Sequence, residues 1–142
     1  MKSIYKLFLK YLFLFWLGGS FYVTLEVIWR EKSHWTMLVL AGLVFIIIGL
    51  LNELWDWYDS LLKQIIAGTS IATVAEFICG YIVNIWLGWN VWNYADMKWN
   101  ILGQICPQYI LLWIPIVLLA ILLDDFIRYF FFDEERPYYN LF

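Results

Sequence analysis

The stretch that decides the fold is LLKQIIAGTSIATVAEFICGYIVNIWLG, which runs from residue 61 to residue 88. About 20 apolar residues cross the roughly 30 Å hydrocarbon core of a bilayer, so this stretch predicts a transmembrane helix. It carries one carboxylate, Glu76, far from either end. Polar or small residues recur at every fourth position and form one drifting stripe along the predicted helix: Gln64, Gly68, Ala72, Glu76, Gly80 and Asn84.

Glu76 indicates where to look for function. Inserting a carboxylate at membrane depth costs about 2.5 to 3.5 kcal/mol on insertion scales, so such a group usually faces a protein interior or a wet cavity. We therefore predict that the polar stripe, with Glu76 and Gln64 on it, faces a binding site rather than lipid.

The composition places the whole chain in the membrane class. Of its 142 residues, 64% are hydrophobic and 15% are charged, whereas soluble domains have about half and about a quarter. We predict one all-α membrane domain, residues 1–142, built as a bundle of four transmembrane helices. The four predicted spans are residues 5–29, 35–55, 61–88 and 107–130.

Several classes of site are not expected. Cys79, Cys106 and the single histidine fit no metal-ligand spacing, so we predict no metal site and no cofactor. No basic run is present to follow a phosphate backbone, so nucleic acid is not an expected partner. No nucleophile motif or P-loop is present, so we assign no catalytic residue.

The distribution of Lys and Arg predicts the orientation in the membrane. With the N-terminus inside, six basic residues lie on the cytoplasmic side and three on the outer side. This count favours an inner-membrane protein with both termini in the cytoplasm. The six are Lys2, Lys6, Lys10, Lys63, Arg128 and Arg136, and the three are Arg30, Lys32 and Lys98.

The connection from residue 89 to residue 106 is too long for a structureless link in a helical bundle. Trp89, Trp92 and Trp99 would share one face of a helix there, which predicts an amphipathic segment at the outer interface. The alternative is a re-entrant lid, because irregular backbone at membrane depth is tolerated where it lines a cavity. Four amide side chains favour the lid: Asn90, Asn93, Asn100 and Gln104.

A weak internal repeat relates the first and third predicted helices. Gly18, Ser20, Glu26 and Ile28 recur fifty residues later as Gly68, Ser70, Glu76 and Ile78. Repeats of this kind place a functional site at their interface. On this hypothesis the two glutamates lie at equal depth in the bilayer.

Glu26, Arg30 and Glu76 are the charged centre of the predicted site. Glu26 and Arg30 are one helical turn apart and can pair, yet two carboxylates against one guanidinium leave one negative charge that a proton or a bound cation must balance. The alternative is that the three residues only join the first and third helices. His34 is predicted to be an interfacial residue, with Ser33 or Thr36 capping the second helix.

Three segments carry a resemblance to a known family: SHWTM at 33–37, GYIVNIWLGWNVWNYADM at 80–97 and NILGQICP at 100–107. They resemble the small bacterial membrane proteins called putative ABC-transporter type IV permeases, to which a family of small vertebrate transmembrane proteins is similar. The resemblance extends over residues 18–115. Asn93 and Lys98 depart from the family pattern. The resemblance implies transport and adds site candidates: His34, Trp35, Asn84, Trp92, Tyr94, Asn100, Gly103 and Gln104.

We therefore predict a permease or solute-binding membrane component with one outward-facing polar cavity. It would lie between the first and third helices, under the connection that follows the third. With four spans, the chain is expected to work with a second copy or another membrane subunit, and to bind a small molecule or a lipid. The alternatives are an intramembrane enzyme acting on a lipid or isoprenoid by carboxylate acid/base chemistry and an accessory subunit that packs on a partner helix.

Overall fold

The computed structural model describes residues 2–54, 60–134, 136–137 and 139. Four α-helices make up most of the described chain, with α3 continuing into a π-helical turn at Tyr81–Trp86. The helices are α1 Lys2–Arg30, α2 Trp35–Leu54, α3 Leu61–Gly80 and α4 Pro107–Phe132. Within the loop between α3 and α4, a single β-type bridge pairs Ile101 with Ile105.

The prediction of an all-helical membrane bundle is confirmed. Three helical segments are long and apolar enough to cross a membrane, namely Lys2–Arg30, Leu61–Trp86 and Pro107–Phe132. A shorter apolar stretch, Trp35–Leu51, forms most of α2. α1, α2 and α4 begin and end within three residues of their predicted spans where the structure describes them. α3 ends at Gly80, and the π-helical turn that continues it ends at Trp86, two residues before the predicted end. The chain is a multi-pass membrane protein.

Local sequence sets the helix starts. Ser60 caps α3, its hydroxyl accepting a hydrogen bond from the Lys63 amide at 3.1 Å, and Pro107 fits the first turn of α4. The predicted cap of α2 was wrong. Neither Ser33 nor Thr36 caps it; instead the Nδ1 atom of His34 accepts from the Thr36 amide at 3.3 Å, because α2 begins at Trp35 and leaves His34 at the capping position.

The bundle is built from two helix pairs, α1 with α2 and α3 with α4, which α2 joins by packing on both α3 and α4. Equivalent glycines allow close approach within each pair. A Cβ atom on Gly18 would lie 2.3 Å from Cγ of Phe45 in α2, and one on Gly68 would lie 2.6 Å from Cγ1 of Val117 in α4. The two halves of the predicted repeat thus use Gly18 and Gly68 alike, while the repeat itself stays a prediction.

α1 and α3 do not pack on each other within the described helices. α1 meets α4 instead: Leu14 of α1 and Ile127 of α4 form a buried contact together with Phe45 of α2, towards the bundle end where α1 begins and α4 ends. Lys10 and Glu134 form an ion pair at the same end. Towards the other end the space between α1 and α4 widens, and the candidate site lies there.

The connection between α3 and α4 is an irregular, closely bonded loop rather than an amphipathic helix. Asn90, Trp99 and Leu102 take positive φ angles of 49°, 59° and 53°, which a right-handed helix excludes. The prediction that Trp89, Trp92 and Trp99 share a helical face was therefore wrong. Trp92 is 7% exposed, whereas Trp99 is 77% exposed, so the tryptophans do not form a single stripe.

Candidate functional site

The Glu76 carboxylate lies at the centre of the site, and each of its oxygens accepts a hydrogen bond. It is 3% exposed. Its Oε1 atom accepts a hydrogen bond from the Tyr94 hydroxyl at 3.0 Å, and its Oε2 atom accepts one from the Trp113 indole at 2.8 Å. Both donors are neutral, so the hydrogen bonds fix the carboxyl group in place without balancing its charge.

Tyr94 links Glu76 to the nearest cation. Arg30 donates from Nη2 to the Tyr94 hydroxyl at 3.3 Å. Burial raises the pKa of the Tyr94 phenol, and the neighbouring Glu76 carboxylate raises it further, so the hydroxyl keeps the proton that it donates to Glu76. Arg30 thus reaches Glu76 through one hydroxyl group, not by direct contact.

Aromatic rings hold the Arg30 guanidinium in position. Its Cζ atom lies 4.6 Å from the ring centroid of Tyr109 and 5.9 Å from that of Tyr94, within the range of a cation–π interaction. The rings of Tyr94 and Tyr109 stack with centroids 4.4 Å apart and planes 9° apart. Three segments meet here: the end of α1, the loop and the start of α4.

The second glutamate, Glu26, lines the same cavity from α1. Its Oε2 atom accepts a hydrogen bond from the hydroxyl of Tyr22, one turn earlier, at 2.9 Å. The Tyr22 ring stacks on that of Trp113 at a centroid distance of 5.4 Å. Trp113 also donates to Glu76, so the stacked pair of Tyr22 and Trp113 contacts both carboxylates, Tyr22 at Glu26 and Trp113 at Glu76.

These side chains surround a cavity of about 310 Å³. Its walls are the faces of α1 and α4, because α3 contributes only Glu76 and the loop contributes only Tyr94. The sequence predicted a cavity between α1 and α3; this was wrong, because those two helices are not adjacent in the bundle. The predicted charged residues Glu26, Arg30 and Glu76 nevertheless all line it.

The predicted amide residues hold the loop instead of lining the cavity. Asn84 accepts from the Val91 amide at 2.7 Å and donates to Gln104 Oε1 at 2.8 Å. Trp92 donates its indole hydrogen to the Gln104 carbonyl at 3.1 Å. Asn100 donates to the Met97 carbonyl at 2.8 Å and accepts from the Gly103 amide at 2.9 Å.

These bonds bear on the site indirectly. The Tyr94 amide donates to the Gly103 carbonyl at 2.7 Å, so the bonded loop carries Tyr94 over the cavity and fixes its hydroxyl between Arg30 and Glu76. Asn84 lies in the π-helical turn after α3, and such turns often occur at functional positions.

Two predicted site residues lie elsewhere. His34 caps α2, and its ring contacts those of Trp35 and Trp89 at centroid distances of 5.6 and 6.1 Å. Gln64 is 4% exposed near the start of α3, and its Oε1 atom has no hydrogen-bond partner in the described part of the chain. Neither lines the cavity around Glu76.

Sequence reasoning missed the aromatic half of the site, formed by Tyr22, Tyr109 and Trp113. Aromatic residues make up 22% of the chain, so a single ring carries little signal. One usable signal was present: Tyr22 precedes Glu26 by four residues, which places its hydroxyl within reach of the carboxylate on a helix.

Fold and site together define a multi-pass helical membrane protein with an aromatic-walled cavity between two of its helices, lined by two glutamates and one arginine. The chain belongs to the family described as "Putative ABC-transporter type IV", whose model matches residues 6–135. The predicted family is thereby confirmed, and the protein is related to membrane transport. No curated protein and no solved structure matches the chain.

Proposed function

We propose that this protein is the solute-binding membrane component of a permease and that its ligand occupies the cavity around Glu76. The observation that carries the proposal is the buried Glu76 carboxylate, held by two neutral donors beside a cavity that also contains Glu26 and Arg30. Charged groups inside transmembrane bundles are rare and usually mark the path of a substrate or an ion.

Charge balance supports ligand binding over a purely structural role. Two carboxylates and one guanidinium line the cavity, and no ion pair joins Arg30 to either carboxylate in the described part of the chain. Residues that only tied helices together would gain most from pairing directly. Here the charged groups are held apart, by aromatic partners, around open space.

The proposal includes an orientation and partners. The cavity lies towards the C-terminal ends of α1 and α3. The Lys and Arg count supports an orientation with that end outside and both termini in the cytoplasm of an inner membrane. A second copy or another membrane subunit would complete the translocation path. Any ATP hydrolysis would belong to a separate protein.

Ligand-dependent thermal stabilisation of the purified full chain tests the proposal. A collection of polar solutes and lipids is screened against the wild type, Glu76→Gln and Glu31→Gln. Glu31 is the matched control, since it is exposed next to Arg30 and does not line the cavity. The expected result is at least one compound that stabilises the wild type and Glu31→Gln but not Glu76→Gln.

Stabilisation of all three proteins by the same compounds would place the binding site elsewhere and refute the proposal. Each stabilising compound is also recovered after incubation with the protein and analysed by mass spectrometry. Recovery of the unchanged compound agrees with a binding component, whereas conversion that Glu26→Gln abolishes would establish the rival intramembrane enzyme.

A further inference from the structure

Glu26 and Arg30 carry opposite charges one helical turn apart, yet they do not pair. A glutamate four residues before a basic residue is the favourable order for an ion pair on a helix. Instead Glu26 accepts from Tyr22, while Arg30 turns to Tyr94 and Tyr109. The aromatic residues therefore keep the two charges apart on the cavity wall.

Each charged group retains unused bonding capacity. Within the described part of the chain, the Glu26 Oε1 atom takes part in no hydrogen bond, and Arg30 uses one of its N–H groups, on Nη2. A guanidinium has five N–H donors in a fixed planar arrangement that matches phosphate and carboxylate groups. The cavity thus offers an anionic and a cationic contact separated by about one turn of helix.

The rest of the cavity wall is apolar and continues onto the outer surface of the bundle. Ile28 and Trp29 of α1 are 75% and 71% exposed, and Leu119 of α4 is 45% exposed, while all three line the cavity. In a bilayer such exposed side chains face acyl chains. A ligand could therefore keep an apolar chain between α1 and α4 while its polar head reaches Glu26 and Arg30.

We propose that the cavity binds a zwitterionic amphiphile, with its primary ammonium on Glu26, its phosphate on Arg30 and its acyl chain along α4. This deepens the proposed function, on which it rests, by naming the ligand class. Glu76 has a positioning role: its bond to Tyr94 holds the hydroxyl that orients Arg30. A lipid and its water-soluble head group share the ammonium–phosphate chemistry, and the acyl chain distinguishes them.

The test measures affinities of the purified full chain in detergent by native mass spectrometry. The probes are myristoyl lysophosphatidylethanolamine, its N-acetylated form, which lacks the positive charge, and glycerophosphoethanolamine, which lacks the chain. We expect the first probe to bind at least about tenfold more tightly than either of the others. N-acetylation removes a hydrogen bond to a charged group, and the soluble head group has no acyl chain to bury.

Variants assign the two contacts. Glu26→Gln should bind the free-amine and N-acetylated probes about equally, whereas Glu31→Gln should keep the wild-type preference. Arg30→Gln should lower the affinity for both lysolipids about tenfold or more. Arg30→Lys should recover most of that lost affinity, since lysine keeps the charge. Wild-type elution in size exclusion and wild-type thermal unfolding establish that each variant is folded.

Equal wild-type affinity for the free-amine and N-acetylated probes would overturn the inference, as would an amine preference that survives Glu26→Gln. If glycerophosphoethanolamine bound as tightly as the myristoyl lysolipid, the ligand would not be an amphiphile, and the site would be assigned to a soluble zwitterion. These outcomes differ from failure of the proposed function. If another compound still stabilises the protein only when Glu76 is present, the proposed binding role is retained and only the proposed ligand class is refuted.

Discussion

Changing Tyr94 to Phe should destabilise the protein by removing one hydroxyl group at the centre of the site. The hydroxyl is buried, donates to Glu76 at 3.0 Å and accepts from Arg30 at 3.3 Å. Phe keeps the ring that stacks on Tyr109. The loss therefore falls on two hydrogen bonds and leaves the aromatic packing in place.

The magnitude follows from these two bonds. A hydrogen bond to a charged group contributes about 1.5 to 3 kcal/mol in soluble proteins. Interhelical bonds within membranes contribute less, about 0.6 kcal/mol on average and about 1.7 at most. Since Tyr94→Phe removes two bonds and leaves Glu76 Oε1 without its donor, we expect the free energy of unfolding to fall by about 1 to 2 kcal/mol.

Equilibrium unfolding of the purified protein in mixed micelles, with increasing dodecyl sulfate, measures this loss. Tyr109→Phe is the matched control, because the Tyr109 hydroxyl makes no hydrogen bond within the described residues while its ring makes the same stack. We expect that control to stay within about 0.5 kcal/mol of the wild type.

A double-mutant cycle separates the bond to Glu76 from other effects of the substitution. Tyr94→Phe should cost less in the Glu76→Gln background, because the charged acceptor is already gone. Equal costs in both backgrounds, or a Tyr94→Phe variant as stable as Tyr109→Phe, would refute the reasoning that Tyr94 connects Arg30 to Glu76.

Three further predictions concern the fold around the site. Gly68→Val should destabilise the protein by about 1 to 3 kcal/mol, because even a Cβ atom would lie 2.6 Å from Val117; the same unfolding experiment measures it. Asn84→Ala should speed tryptic cleavage after Lys98 and hydrogen exchange of the loop amides, since Asn84 holds the loop backbone. A reporter fused after Met97 should be external, and one fused at the C-terminus should be cytoplasmic.

Each of these predictions has its own control and its own contrary result. Ser70→Val changes an exposed position of the same helix and should cost less than Gly68→Val; equal losses would mean that close packing of α3 on α4 is not the cause. Unchanged cleavage in Asn84→Ala would mean that the remaining amide bonds suffice to hold the loop. An external C-terminus would contradict an even number of spans.

The helices could be predicted from the sequence because each is a long apolar run. The charged residues of the site could be predicted for the same reason: Glu26 and Glu76 stand out because charge is costly in apolar surroundings. Which helices would enclose them could not be predicted. Periodicity gives the face of a helix but not the neighbour that the face meets.

The polar residues of the loop show a second limit. Asn84, Asn100 and Gln104 were predicted to line the site, and in the structure their side chains form hydrogen bonds with the loop backbone. An amide side chain donates and accepts equally well to a ligand or to a peptide group, so its residue type does not reveal its partner. His34 is a similar case, since its ring nitrogen takes the place of a hydroxyl cap.

The central claim is that a ligand occupies the cavity around Glu76, and filling that cavity tests it most directly. Leu112→Trp places a large side chain on the cavity wall, while Leu111→Trp, at the neighbouring and 65% exposed position, does not. Native mass spectrometry of protein purified from membranes should show a bound molecule on the wild type and on Leu111→Trp, and its loss from Leu112→Trp. Equal retention of that molecule by Leu112→Trp would contradict the claim.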